Sequence, residues 1–172
     1  MNLYIRPATI TDLPVLRTLG IRTFRDTYAP YNDPQDMRNY LQESFAEDQL
    51  TAEFEDPDTR FFLILADKIP AGYTRLRWGG PPTDPEAPSM LEIVRFYSAQ
   101  EFHGHGVGQA LMEFCLQFAR DHGARALWLD VWQENKKAIR FYQKWGFQII
   151  GTHFFILGKD VQDDYIMERK II

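Results

Sequence analysis

Three alternating glycines, Gly104, Gly106 and Gly108, constrain this chain more than any other feature. A strand-like run, Leu91 to Tyr97, leads into them. An apolar face at helical spacing follows: Val107, Ala110, Leu111, Phe114, Cys115 and Phe118. Glycine adopts φ values that side chains disfavour and lets a ligand come close to the backbone. The first amides of a helix lack internal partners, and the helix dipole adds partial positive charge there. A phosphate or pyrophosphate fits such a place. A glycine-rich β-to-α turn without a ligand is the plainer alternative.

Two familiar phosphate loops do not match. A Walker loop ends in Gly-Lys-Ser/Thr, which is missing here. A dinucleotide fingerprint needs G-x-G-x-x-G in an early βαβ unit with an acidic residue beyond it. Here the spacing is Gly104-x-Gly106-x-Gly108 late in the chain, and Asp130 alone meets the acidic requirement.

The remaining pattern alternates strands and helices. Leu3-Tyr4-Ile5 begins a strand. Thr9 or Thr11 can cap a helix carrying Leu13, Leu16, Leu19 and Phe24. Asp33-Pro34 reads as the cap and first turn of a second helix, and Glu47 to Phe54 as a short third. Arg60 to Ala66 and Gly72 to Trp78 form a hairpin about Asp67-Lys68. Gly79 to Pro88 is loop, then Ser89 to Tyr97 is a strand. Gly123 closes the glycine-led helix as a C-cap. Ala126 to Trp132 alternates as a strand does, and Gln148 to Phe155 and Tyr165 to Arg169 read as a final antiparallel pair. Cys115 lies on an apolar helix face and reads as core packing.

A second segment, Asn135-Lys136-Lys137-Ala138-Ile139-Arg140-Phe141-Tyr142-Gln143-Lys144-Trp145-Gly146-Phe147, follows the Ala126–Trp132 run. Together with His103-Gly104-His105-Gly106-Val107-Gly108 it resembles the GCN5-related N-acetyltransferase (GNAT) superfamily. That superfamily carries Arg/Gln-x-x-Gly-x-Gly/Ala after its fourth strand and Asn-x-x-Ala-x-x-Phe-Tyr-x-x-x-Gly-Phe after its fifth. His103 departs from the pattern, standing where arginine or glutamine is usual. Thr23 to Tyr28, Met37 to Phe45, Leu91 to Ile93, Trp128 to Trp132 and Gly151 to Phe154 look further like one branch. That branch is the bacterial polyamine (spermidine/spermine) acetyltransferases, also named protease synthase and sporulation negative regulators. The likeness spans about Ile5 to Met167.

The resemblance implies a single domain over residues 1–172 with a mixed α/β fold. Its central sheet is mostly antiparallel, splayed between strands four and five and flanked by helices. It implies acetyl-CoA as cosubstrate and no metal. The pantetheine arm would pair with the backbone of Phe96, Tyr97 and Ser98, and an amide near Tyr97 or Ser98 would stabilise the developing oxyanion. His103, Gly104, His105, Gly106, Val107, Gly108 and Gln109 would hold the pyrophosphate. Asn135 would bond the pantetheine or adjacent backbone, and Lys144 would approach the nucleotide phosphates. Tyr142 matches the proton donor to the leaving thiolate; a phenol of pKa about 10 suits that task. The alternative for Tyr142 is packing against Phe141.

A primary amine of pKa about 10.4 must lose a proton before it attacks in a ternary complex. Glu92, opposite in direction to Ile93 on its strand, is the candidate base; a water relay or a plain salt bridge are its alternatives. Tyr97, Tyr28 and His153 can line the acceptor pocket. His105 and His122 have weaker claims, the second as a charge at a helix C-terminus. Acidic residues crowd the early helices: Asp26, Asp36, Glu43, Glu47, Asp48, Glu53 and Glu55. They can meet a polyamine or form a solvated face.

Charge and cysteine use bound the partners. Net charge is −5 with no basic run, so phosphate-backbone binding to nucleic acid has no electrostatic support. No apolar run or leader-like N-terminus points to a membrane, and one cysteine fits a reducing cytoplasm. The expected partner is a small amine, and the resemblance allows a homodimer. Two other readings stay open: an amino-acid, peptide or protein amine as acceptor, and a regulatory module that binds acyl-CoA without turnover.

Overall fold

The computed structural model describes residues 1–171. Seven strands and five α-helices follow one another as β1 (Leu3–Pro7), α1 (Leu13–Tyr28), α2 (Pro34–Ser44), α3 (Glu47–Glu55), β2 (Thr59–Ala66), β3 (Ile69–Trp78), β4 (Met90–Ser98), α4 (Val107–Asp121), β5 (Ala126–Trp132), α5 (Lys136–Lys144), β6 (Gln148–Leu157) and β7 (Asp160–Lys170). The strand order is β1-β2-β3-β4-β5-β7-β6. β1 with β2, β5 with β7 and β6 with β7 are antiparallel; β4 with β5 is parallel. This is the mixed α/β fold that the glycine-led βα unit and the flanking strands imply.

Two compact units interleave in sequence. One comprises Met1–Leu76 with Arg95–Cys115, the other Arg77–Val94 with Leu116–Ile172.

In the first unit, α1 forms because Leu13, Leu16, Leu19 and Phe24 recur on one face and are buried. Thr9 caps a short 3₁₀ turn, Ile10–Asp12, that leads into it, and its amide donates to Asp12 Oδ2 at 2.8 Å. The Arg6 guanidinium, bonded to Asp12 at 2.8 Å, holds that carboxyl down at about 2. Asp33 caps α2 by accepting from the amides of Gln35 and Asp36, with Pro34 in the first turn. The β2–β3 turn uses Asp67 and Lys68 at φ +47° and +70°, the twist that a two-residue hairpin prefers. Asp67 Oδ1 accepts from the Asn2 amide at 2.8 Å, which steadies a conformation unusual for residues other than glycine.

Beneath the end of β4 lies a buried ion network. Arg95 donates to both oxygens of Glu53 at 2.7 Å, and Arg75 reaches the same carboxylate at 3.3 Å. Arg95 lies over the Phe45 ring and Arg75 over Phe61. Glu53 is therefore not part of a solvated acidic face: it is 5% exposed and already matched by two guanidinium groups.

In the second unit the β4–β5 ladder pairs Met90, Leu91 and Glu92 with Ala126, Leu127 and Trp128. Met90, Ala126, Trp128 and Ile166 pack as one buried cluster. The β6–β7 hairpin is longer than the sequence pattern indicates, with β7 starting at Asp160 rather than Tyr165. The polar run Asp160-Val161-Gln162-Asp163-Asp164 hides the strand because its apolar face begins only at Ile166. Ladder bonds to β6 carry those residues, so side-chain pattern has little to report.

Candidate active site

The glycine loop behaves as its spacing requires. Gly104 and Gly106 sit at φ +81° and +82°, and a Cβ built on either meets no atom within 4 Å. The backbone here is open enough to receive a bulky anion. The chain then enters α4 at Val107, whose buried side chain packs with Leu111, Ile64 and Ala71 and anchors the helix mouth. His105 and Gln109 are exposed, and Gln109 donates to Glu113 at 3.1 Å. His103 Nε2 lies 3.0 Å from the carbonyl of Ser98, tying the loop to the last residue of β4. The ring that replaces the usual arginine or glutamine is thus engaged within the loop.

The preceding strand is held against β3. Thr74 Oγ1 donates to the Arg95 carbonyl at 2.9 Å, and the Ala99 amide to the Ala71 carbonyl at 2.8 Å. Gly72 has no room for a Cβ, which would collide with the Tyr97 carbonyl. Phe96 packs beside Val107, and Tyr97 stands edge-on to Tyr73 at 5.3 Å. Burial pushes the Tyr97 phenol up to about 12, so it suits a wall better than an acid. Tyr28 stacks on Phe24 at 4.4 Å. Cys115 is fully buried, its thiol pushed up to about 12 by that burial, which agrees with core packing.

The second unit carries the other sequence-derived residues. Asn135 caps α5, its side chain accepting from the Ala138 amide at 3.2 Å. This is the adjacent-backbone role of its two expected roles. Tyr142 is half-buried near the end of α5, its ring edge-on to Phe141 at 5.5 Å and Phe147 at 5.8 Å. Lys144 is exposed in the last turn.

Glu92 lines a cleft of about 410 Å³ together with Arg77, Trp128, Asp130, His153 and the loop from Gly79 to Pro85. Arg77 Nη2 donates to Glu92 Oε2 at 2.6 Å, so the strand glutamate is ion-paired. Trp128 Nε1 donates to the Gly79 carbonyl at 2.7 Å and fixes the loop over the cleft. His153 Nδ1 lies 3.0 Å from Asp130 Oδ2. Burial raises the Asp130 carboxyl above its usual range against the pull of His153. Burial, and then the charge of Asp130, push Asp164 up to about 7. His122 Nδ1 donates to the Phe118 carbonyl, 2.9 Å away, at the end of α4.

The acetyltransferase (GNAT) family model matches residues 21–147. An uncharacterized N-acetyltransferase of Lactobacillus delbrueckii subsp. lactis is 33% identical, covering 94% of this chain and 93% of its own. The chain belongs to the GNAT acetyltransferase family. Streptothricin acetyltransferase of Streptomyces lavendulae is 31% identical over 69% of this chain and 60% of its own. In fold, this GNAT acetyltransferase is similar to the PaiA N-acetyltransferase of Thermoplasma acidophilum in complex with coenzyme A. The TM-score is 0.82 with 24% identity, over 99% of both chains.

Four residues of the GNAT chain were not singled out for a site role by sequence reading: Arg77, Trp128, Asp130 and Asp164. A signal for two of them was present. Trp128 and Asp130 share one side of an alternating strand, and a charged residue between two tryptophans is unusual on a buried face. Asp164 lies in a run that shows no apolar alternation, and nothing local marks Arg77 as the partner of Glu92.

Proposed function

We propose that the enzyme transfers acetyl from acetyl-CoA to a primary amine of a small polycation of the spermidine or spermine class. The cleft lined by Glu92, Asp130 and His153 carries this reading: it gathers carboxylates around an opening large enough for a slender amine. A chain of net charge −5 favours a cation electrostatically. Acetyl-CoA supplies the activated acyl group. The glycine loop suits its pyrophosphate, since open backbone at Gly104 and Gly106 meets the mouth of α4. The β4 backbone at Phe96, Tyr97 and Ser98 is the surface for the pantetheine arm, with His103 bracing the turn.

Tyr142 gives a proton to the departing sulfur. The amine proton is taken by a group lining the cleft, with Glu92 as the sequence-derived choice, directly or through water. Attack is direct, in a complex of both substrates. The similarity to streptothricin acetyltransferase supports an antibiotic amine as the second reading. Thiol release from acetyl-CoA, measured with spermidine, spermine, a lysine peptide and streptothricin, separates these. The expected result is fastest release with spermidine or spermine, with intersecting initial-velocity lines. Release with streptothricin alone would transfer the conclusion to the second reading, and release with none would remove both.

A further inference from the structure

Three titratable side chains from three adjacent strands meet on one side of the sheet in the second unit. In the β6–β7 register His153 stands opposite Asp164, and in the β5–β7 register Asp164 stands opposite Trp132. Asp130 precedes Trp132 by two residues, so the period of the strand puts it on the same face as both. His153 Nδ1 is 3.0 Å from Asp130 Oδ2, and both residues line the cleft. Asp164 is 6% exposed, and its Oδ1, like that of Asp130, has no hydrogen-bond partner among the described residues. Buried carboxylate oxygens left without donors are costly, and a catalytic role is one reason a structure keeps them.

Glu92 and His153, two of the cleft groups that can accept a proton, differ in their engagement. Glu92 is held by Arg77 through Nη2 at 2.6 Å and Nε at 3.2 Å, so protonating it would break an ion pair. His153 faces a carboxylate instead. An ionised carboxylate only accepts, so Nδ1 carries the hydrogen and Nε2 carries the lone pair. The side chain is 44% exposed, which leaves the ring reachable by solvent. The charged groups around it come from every neighbouring strand: Asp130 on β5, Asp164 and Asp163 on β7, and Arg77 of β3 and Glu92 of β4 about the cleft.

We propose that His153, oriented by Asp130 and backed by Asp164, takes the proton from the acceptor ammonium. The inference rests on the acetyl-transfer reading above and assigns its base to His153 instead of Glu92. The ammonium N–H bond breaks and its proton goes to Nε2. The freed lone pair forms the N–C bond to the acetyl carbon as the C–S bond breaks. The second proton lost by that nitrogen replaces the one that Tyr142 gives to sulfur. Solvent then removes the proton from His153, so one proton is released per acetyl transferred. Asp130 is the positioning residue: it fixes the ring tautomer, and Asp164 across the ladder helps it balance the imidazolium charge.

Two measurements test this. The first is the pH dependence of kcat/KM with spermidine, or with whichever amine of the panel turns over. His153→Gln should lower it about 100-fold or more near neutrality, the ordinary yield of a placed base. The gap should narrow towards pH about 10, where the amine is itself neutral. Free imidazole should restore part of the rate of His153→Ala, and Asp130→Asn should lower kcat more than it raises KM. Glu92→Gln should keep the shape of the acidic limb. The second is the nitrogen NMR signature of His153 in the wild-type chain, expected as the Nδ1–H tautomer and altered in Asp130→Asn. Turnover with an unchanged profile in His153→Gln would overturn the inference and leave the acetyltransferase reading standing, as would an Nε2–H tautomer in the wild type. A bound coenzyme with no amine acetylated would overturn both.

Discussion

Glu53 and Asp164 are both buried carboxylates, and they show opposite solutions to the same cost. Glu53 accepts two hydrogen bonds from Arg95 and is ion-paired with Arg75, so its charge is kept. Glu53→Gln leaves two guanidinium groups short of their counter-charge, and removing one partner of such a network costs about 3–5 kcal/mol. Urea unfolding should show that loss as a lower midpoint with an unchanged slope. Asp164 has His153 across the ladder but no guanidinium to match it among the described residues, and burial raises its carboxyl from 3.8 to about 7. The folded chain holds that proton more tightly than the unfolded chain does. Its contribution to stability is therefore full below pH 3.8 and is lost as pH rises through about 7. Asp164→Asn, which cannot ionise, should leave the melting temperature nearly unchanged at pH 4 and raise it by a few degrees at pH 8. A melting-temperature gain equal at both pH values would refute the assignment. Tyr142→Phe should cut turnover at least tenfold with little change in coenzyme affinity, compared by steady-state kinetics and equilibrium titration.

At the scale of elements, the turn between β4 and α4 is the part whose sequence and geometry agree most closely. Gly104 and Gly106 occupy the left-handed region, so alanine is strained there despite open space, by roughly 1–2 kcal/mol each. Gly106→Ala should lower the melting temperature modestly and weaken coenzyme binding in a calorimetric titration. An unaltered affinity would detach the loop from the pyrophosphate. The α2 cap was equally legible, since Asp33 acts through bonds to the amides of Gln35 and Asp36. The beginning of β7 was not, because Asp160 to Asp164 belong to a strand only through their partners on β6. Gly72 is a similar case. Its need for no side chain comes from a carbonyl on another strand, and no local pattern records that approach.

For the whole molecule, ligand linkage gives the broadest check. A coenzyme that binds only the folded chain, present at about 100 times its dissociation constant, adds about 2.7 kcal/mol of stability. That corresponds to a rise of several degrees in melting temperature by calorimetry. No rise at saturating acetyl-CoA would sink the functional reading entirely. No described helix is long and apolar enough to cross a membrane.

The family, the mixed α/β fold, the glycine loop, the α5 motif with Tyr142, and the core role of Cys115 were all written in the sequence. Each depends on residues close together in the chain, where glycine spacing, caps and apolar periodicity act directly. The pairing of Glu92 with Arg77, the burial of Glu53 between two arginines, and the meeting of His153, Asp130 and Asp164 were decided only by tertiary structure. Strand register and burial set those contacts between residues remote in sequence. Whether a carboxylate is a base, a counter-ion or a proton reservoir depends on what the fold places against it.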